Sequence, residues 1–316
     1  MQTLTLGKTS LTISRIGLGG LQLGGHLGPI SSHEIMRTLQ AALEGGITLF
    51  DSSPSYGAGM AETFLGEMLG RDSDRVVVAT KIGSGIDSGG RFWCLNNRAN
   101  VLRQVNGSLK RLRRDYIDIY MIPGEDPTTP ISQTVEAMEE LRNREKVRYI
   151  GYCTAQVDSL REALKHGCID VVQTPYNIFN RSIETGLASF CNSAGIPLIA
   201  CEPYCRGLLP GMLQKHSSFD ADDLRVMDKR FRGERYRRNI ENVNRLRTIA
   251  EQVGLSLVQL ALGWVLQNPN VAAALCGAKD RLQIRQSILA SGITLTPDTI
   301  VAIEQAVGED VRQQAE

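Results

Sequence analysis

With 316 residues, 42% of them hydrophobic and 22% charged, the chain has the make-up of an ordinary globular protein; this excludes disorder and leaves room for two average domains or one large α/β barrel. A formal net charge of +1 removes any electrostatic reason to expect nucleic acid or an anionic membrane as a partner. Seven cysteines lie scattered without paired spacing, no secretory segment opens the sequence, and no apolar run approaches the ~20 residues of a membrane span, so a reduced cytoplasmic protein is expected.

The sequence opens with LTLGKTSLTISRIGLG, two short alternating stretches about a Gly-Lys turn, which predicts a β-hairpin ahead of a first core strand at Arg15–Leu18. The glycine-rich GLGGLQLGG comes next. A loop separates it from the following helix, so it does not form a strand-to-helix dinucleotide fingerprint. Helix Ser32–Glu44, strand Leu49–Asp51, helix Met60–Leu69, strand Val76–Lys81 and helix Asn97–Leu112 then alternate by their apolar periodicity. The pattern continues with strand Ile117–Ile122, helix Ile131–Arg142, strand Val147–Tyr152, helix Val157–Lys165, strand Val171–Thr174 and helix Ile183–Ser193. Strand Pro197–Cys201, helices Ile240–Gln252 and Leu257–Gln267, strand Val271–Cys276 and helix Asp280–Leu289 complete it. Eight strands, each followed by a helix, predict a (β/α)8 TIM barrel with an N-terminal β-hairpin, one domain over residues 1–316, in preference to a doubly wound sheet. Ser217–Tyr236 reads as a long loop over the barrel mouth. The Arg-rich DKRFRGERYRRN at Asp228–Asn239 reads as a solvated face or loop anchor.

In such a barrel the chemistry collects where the strands' carboxyl ends meet. The second strand ends LFDSSPSYG, with Asp51 at the mouth and Tyr56 in the loop; the third ends VVVATKIG, with Lys81 at the mouth. A lysine closing an apolar strand is costly to bury alone, so an ion pair with Asp51 is expected. That pair is either structural or the means by which Lys81 lowers the Tyr56 phenol from its usual pKa near ~10, so that it exchanges protons near neutrality.

Taken together, GITLFDSSPSYGAGMAETFLGEML, VVVATKIG, DYIDIYMI, QTPYNIFNR, GLLPG and CGAKDRLQIRQ resemble the aldo-keto reductase superfamily over nearly the full length, in its bacterial subgroup that also contains potassium-channel β-subunit-like proteins. The resemblance implies a barrel that binds NADP(H) in an extended pose and passes hydride to a carbonyl carbon while Tyr56 protonates the oxygen, with Asp51 and Lys81 in support. It implies a small-molecule carbonyl or alcohol as partner, no nucleic acid, no membrane and no metal. Where the family usually ends its fourth strand with a histidine, this chain has Pro123, which offers no side-chain donor. His26, His216 and Glu125 are candidates to replace it, and Phe92 and Trp93 are candidate walls of the substrate pocket.

Further contacts implied by the resemblance are Gly19, Gly20 and Asp51 along the cofactor, Cys153 and Thr154 in place of a Ser-Asn pair at the nicotinamide amide, Gln173 beside them, and Tyr176 stacked on the ring. Tyr204, Arg206 and Leu208 fall in the loop over the pyrophosphate. Gly277, Lys279, Gln283 and Ser287 fall at the adenosine end. Backbone N–H groups at the helix start after Lys279, with the lysine itself, suit a ribose 2′-phosphate and favour NADP over NAD. Two alternatives stand beside carbonyl reduction, the first because Pro123, Cys153 and Thr154 all alter the substrate side, the second because the resemblance extends to potassium-channel β-subunits. One is a redox-neutral lyase, dehydratase or isomerase that retains NADP; the other is a non-catalytic NADPH-binding regulatory subunit.

Overall fold

The structure is a computed structural model that describes residues 1–86 and 92–315. Along the chain, β1 (Thr3–Thr5) and β2 (Thr12–Ser14) pair antiparallel, with Leu4 opposite Ile13. Strands β3 (Ile16–Gly19), β4 (Leu49–Asp51) and β5 (Val77–Lys81) follow, then a small antiparallel hairpin of β6 (Ser84–Ile86) and β7 (Phe92–Cys94). Next come β8 (Ile117–Ile122), β9 (Val147–Cys153), β10 (Val171–Pro175), β11 (Leu198–Cys201) and β12 (Val271–Cys276). The sheet closes with β12 pairing β3 in parallel, and its eight strands form the barrel.

Helices α1 (Ser32–Glu44), α2 (Met60–Leu69), α3 (Arg98–Leu112), α4 (Ile131–Asn143) and α5 (Val157–Leu164) cover the first half. The second half carries α6 (Leu187–Ala194), α7 (Gly233–Gln252), α8 (Leu257–Leu266), α9 (Arg281–Leu289) and α10 (Pro297–Ala315). Short polar side chains stop the helices from fraying at their starts: Ser31 accepts from Glu34 N, Asn97 from Asn100 N, and Ser256 with Gln259 makes a reciprocal capping box.

Side chains alternate across each strand, which sorts the core into two shells. Leu49, Val77, Ala79, Ile119, Met121, Val171, Ile199, Ala273 and Leu275 face the lumen, where Leu6, Leu11 and Ile13 of the hairpin shut the floor. Their outward neighbours Phe50, Val78, Tyr120, Val172 and Ala274 meet the helices. The same alternation turns the residues two positions further on, at the carboxyl ends of the strands, into the mouth: Asp51, Lys81, Pro123, Cys153, Gln173 and Cys201.

The barrel, its hairpin and its strand limits agree with the sequence reading to within about a residue or two. Several elements differ. The helix expected over Ile183–Ser193 is split at Gly186, where φ is +153°. Helix α7 starts at Gly233, seven residues early, because Tyr236 and Asn239 bury on the same face as Ile240. Two elements were not expected at all: the β6–β7 hairpin, too short to show periodicity, and α10, whose buried Ile303 and Val307 lie beyond the last β/α unit. The segment read as a long loop carries two 3-10 turns, Leu224–Met227 and Lys229–Phe231. Among the described residues no single helix is long and apolar enough to cross a membrane, and all seven cysteines are free.

Candidate active site

Asp51 ends β4 opposite Ala79 of β5, and Lys81, two residues further along on the same face, ends β5 and reaches back to it at the mouth. The Lys81 ammonium donates to Asp51 Oδ1 at 2.5 Å and to the Ser52 carbonyl at 3.0 Å. Gln173 of β10, reaching in from another part of the barrel wall, donates its Nε2 to the same Asp51 oxygen at 2.9 Å. Asp51 and Lys81 are only 5% and 6% exposed, so removing either charge would leave the other stranded at a cost of about 3–5 kcal/mol. Burial opposes the charge on Lys81, but Asp51 and then Tyr56 outweigh it and hold the ammonium above the usual lysine pKa.

Lys81 Nζ lies 5.4 Å from the centre of the Tyr56 ring. The lowered phenol pKa anticipated from this pairing is corrected by the structure. Burial pushes Tyr56 above its ordinary value, Lys81 pulls it back, and Asp51 offsets part of that pull. The phenol therefore holds its proton, which is the form a proton donor needs.

The loop that carries Tyr56 is fixed from three sides. A β-carbon at Gly24 would lie 2.7 Å from Gly57 N and 2.8 Å from Tyr56 Cα, so the two loops touch backbone to backbone. His26 Nε2 lies 3.0 Å from the Ser55 carbonyl and 3.4 Å from Gly57 N, and its ring meets that of Tyr56 edge-on with centres 6.1 Å apart. Ser55 Oγ donates to the Ser84 carbonyl and accepts from Ser84 N at 3.0 Å, tying the loop to the β6–β7 hairpin. Gly24 and Ser55 carry no signature in sequence, because the contacts that matter join positions about thirty residues apart.

A barrel that gathers a carboxylate, an ammonium, an amide and a phenol at the ends of β4, β5 and β10 can be set beside known proteins. Residues 15–307 match the Aldo/keto reductase family. The chain belongs to this family. It is 33% identical over 303 residues to aldo-keto reductase YhdN of Bacillus subtilis (strain 168), covering 94% of this chain and 91% of that one. It is 31% identical over 314 residues to the NADH-specific methylglyoxal reductase of Escherichia coli (strain K12), with 94% and 95% covered. A probable voltage-gated potassium channel subunit beta of Oryza sativa subsp. japonica is 30% identical over 331 residues, with 97% of each chain covered. Among solved structures, the glycerol dehydrogenase AKR11B4 from Gluconobacter oxydans superposes with a TM-score of 0.86 at 28% identity, over 97% of this chain and 95% of that one.

At the positions expected to line the substrate pocket, Pro123 follows β8 on the inward side and is partly exposed. Its loop is clamped from below, with Asn96 Nδ2 donating to the Gly124 carbonyl at 2.9 Å. Glu125 is exposed and receives the Ser159 hydroxyl. Trp93, 47% exposed, lies opposite Gly85 across the β6–β7 hairpin. The side chain of Phe92 falls outside the described residues, and His216 is exposed. The inward end of β9 carries Cys153, whose thiol reaches toward Gln173 Oε1 at 3.5 Å and which burial raises to about 12. Sequence reading missed Cys201, which ends β11 on the same inward parity; burial raises it well above the thiol range, and Cys153, Asp51 and Lys81 all act on it. Its signal was available in the alternation of β11, through the inward Ile199 two positions before it.

At the positions expected to hold the cofactor, Gly19 lies in register with Asp51, and Gly20 donates its N–H to the Asp51 carbonyl at 2.8 Å. Thr154 turns its hydroxyl to Gln156 N at 3.0 Å. Tyr176 is 2% exposed and packs on Trp264 with ring centres 5.0 Å apart, its hydroxyl donating to Glu184 at 2.7 Å. Outward parity on β10 thus turns this ring to the helical layer and away from the mouth. Leu208 is fully buried, and Tyr204 and Ser287 share a hydrogen bond of 2.7 Å. Arg206 pairs with Glu202 at 2.8 Å and Asp228 at 3.3 Å. Gln283 accepts from Lys279 N at 3.0 Å, while Asp280 Oδ1 accepts from Leu282 and Gln283 N and takes up part of the helix start expected to meet a phosphate.

These residues fit an extended dinucleotide in two respects. A β-carbon at Gly277 would overlap the Gln22 amide, so bare backbone and a primary amide meet at the end of β12. Farther out, burial and then Arg225 press the Lys279 pKa below its usual value, with Asp223 opposing. Lys279 and Arg225 are the cations there that would meet a phosphate.

Proposed function

We propose that this aldo/keto reductase family member reduces the carbonyl of a small metabolite, an aldehyde or ketone, using NADPH, with Tyr56 as proton donor. When bound, the dinucleotide supplies the hydride. Gly19, Gly20, Gln22 and Gly277 would line its path, and Lys279 with Arg225 would meet the 2′-phosphate. The reading rests above all on the Asp51–Lys81 pair beside Tyr56. Burial keeps the phenol protonated until a carbonyl oxygen accepts its proton, and the ammonium, held by Asp51 and Gln173, steadies the phenolate left behind.

In an assay that follows oxidation of the reduced nicotinamide over a panel of small aldehydes and ketones, Tyr56→Phe should lower turnover by about 10²–10⁴-fold with NADPH binding retained. Turnover unaffected by this change would overturn the role of the phenol. A clear preference for NADH would overturn the choice of NADP(H). A redox-neutral reaction draws support from one observation: Pro123, Cys153 and Cys201 supply no N–H donor for a carbonyl oxygen from their side chains. Conversion of a hydroxy-carbonyl substrate with no net change in nicotinamide absorbance would favour it.

A further inference from the structure

A groove of about 660 Å³, open to solvent, lies at the end of the barrel opposite the mouth, between the β1–β2 hairpin, the junction of α8 with β12, and the turn after α9. This volume lies inside the range of ~300–1,000 Å³ common for metabolite sites. Its wall includes Gln2, Asn192, Gln267 and Ser291, and among the described residues its one charged side chain is Arg15. Arg15 is fixed along one edge: Nη2 donates to the Leu266 carbonyl at 2.5 Å and to that of Val271 at 3.0 Å, and Nε to that of Ala272 at 3.4 Å. The carbonyl of Leu266, the last residue of α8, gives this edge a capping role.

The remaining nitrogen, Nη1, makes no hydrogen bond among the described residues, and no carboxylate there pairs with the guanidinium. Arg111, Arg181, Arg206 and Arg230, also part-buried, each pair with one. Burial presses Arg15 below the ordinary arginine value, a direction that a bound anion would reverse. The amides of Gln2, Asn192 and Gln267, all on exposed residues at the rim, make no side-chain hydrogen bond among the described residues and are open to a ligand. Three free amides can donate and accept, whereas the free guanidinium nitrogen only donates and carries charge.

We infer that this groove binds a small organic anion, a carboxylate or phosphate that also bears hydroxyls, with Arg15 Nη1 meeting the charge and the free amides meeting the hydroxyls. Because Nε and Nη2 are occupied, the anion is met end-on by one nitrogen and not by the bidentate fork. The site is independent of the chemistry at the mouth.

Calorimetric titration of the full chain with citrate and with glucose 6-phosphate, at constant ionic strength, tests this. Saturable binding of at least one probe is expected. Arg15→Gln should weaken it by about tenfold or more, the size expected for losing a charge-assisted hydrogen bond. Ser291→Trp, which fills the groove and leaves Arg15 in place, should weaken it similarly, and Lys279→Ala should leave it unchanged. Should Arg15→Gln fail to fold, the other two variants decide. The inference is overturned if neither probe binds, or if binding survives Ser291→Trp and disappears in Lys279→Ala, which would put the anion at the mouth.

Discussion

Lys81 closes a fully buried strand, Val-Val-Ala-Thr-Lys, so its charge had to find a partner, and the neighbouring β4 ends in Asp51, one step back on the same face. This much followed from residue type and strand ends. The protonation of Tyr56 did not, because spacing reveals which charges converge and not how much water is lost around them. Cys153 and Cys201 show the same limit: their inward direction follows from alternation, but their weight at the mouth depends on a closed lumen. Pro123 is the residue whose replacement asks most of the site. With the phenol already positioned, Pro123→His would supply an N–H donor at the end of β8, and a preorganised donor of this kind is worth about 10²–10³ in rate. The variant should raise turnover of generic aldehydes above wild type; if it binds NADPH and shows no gain, the lack of a donor at this position is not what limits them.

Between β4 and α2 the Tyr56 loop depends on its neighbours more than on itself. Gly24 is where the loop after β3 lies against it, and a methyl group there would have to displace backbone, not a pliable side chain. Gly24→Ala is therefore expected to cut turnover by about tenfold or more, since small misplacements of a catalytic group are costly, while the overpacking of about 1–3 kcal/mol lowers the thermal midpoint by only several degrees and leaves the chain folded at assay temperature. Circular dichroism melts beside kinetic assays would separate this from simple unfolding. Elements of this kind divide by legibility. Strands and amphipathic helices announce themselves by period, whereas the β6–β7 hairpin and the 3-10 turns of the insert depend on contacts made only after folding. The Arg-rich run illustrates the point: half of it is the start of α7, and Arg230 anchors the insert by donating to Glu202 at 3.0 Å and Asp228 at 2.6 Å.

Across the whole molecule, the anchor under the insert should govern behaviour in acid. Glu202, Cys205 and Arg206 sit at φ of +53°, +49° and +53°, a region costly for non-glycine residues, so this turn needs its ion pairs. Burial opposes the charge on Glu202, but Arg206 and Arg230 prevail and hold its carboxyl below the usual range. The sign follows directly. Stability from Glu202 is fully present above its unfolded value near about 4.3 and is lost as pH falls through the lower folded value. Urea unfolding should thus show wild type more stable than Glu202→Gln at pH 6, with the gap narrowing by pH 3; a gap of constant size would mean the carboxylate charge is not what matters.

The barrel becomes a cylinder only when β12 meets β3, strands about 250 residues apart in sequence, with Ala274 beside Ile16. Until that seam is sewn, a nascent chain presents two unpaired strand margins, inviting to any other extended polypeptide. Closing the seam joins contacts far apart in sequence, the class of pairing that forms late in folding, so truncation before Val271 is expected to leave the margin of β3 open and the fragment prone to aggregate in a sedimentation assay.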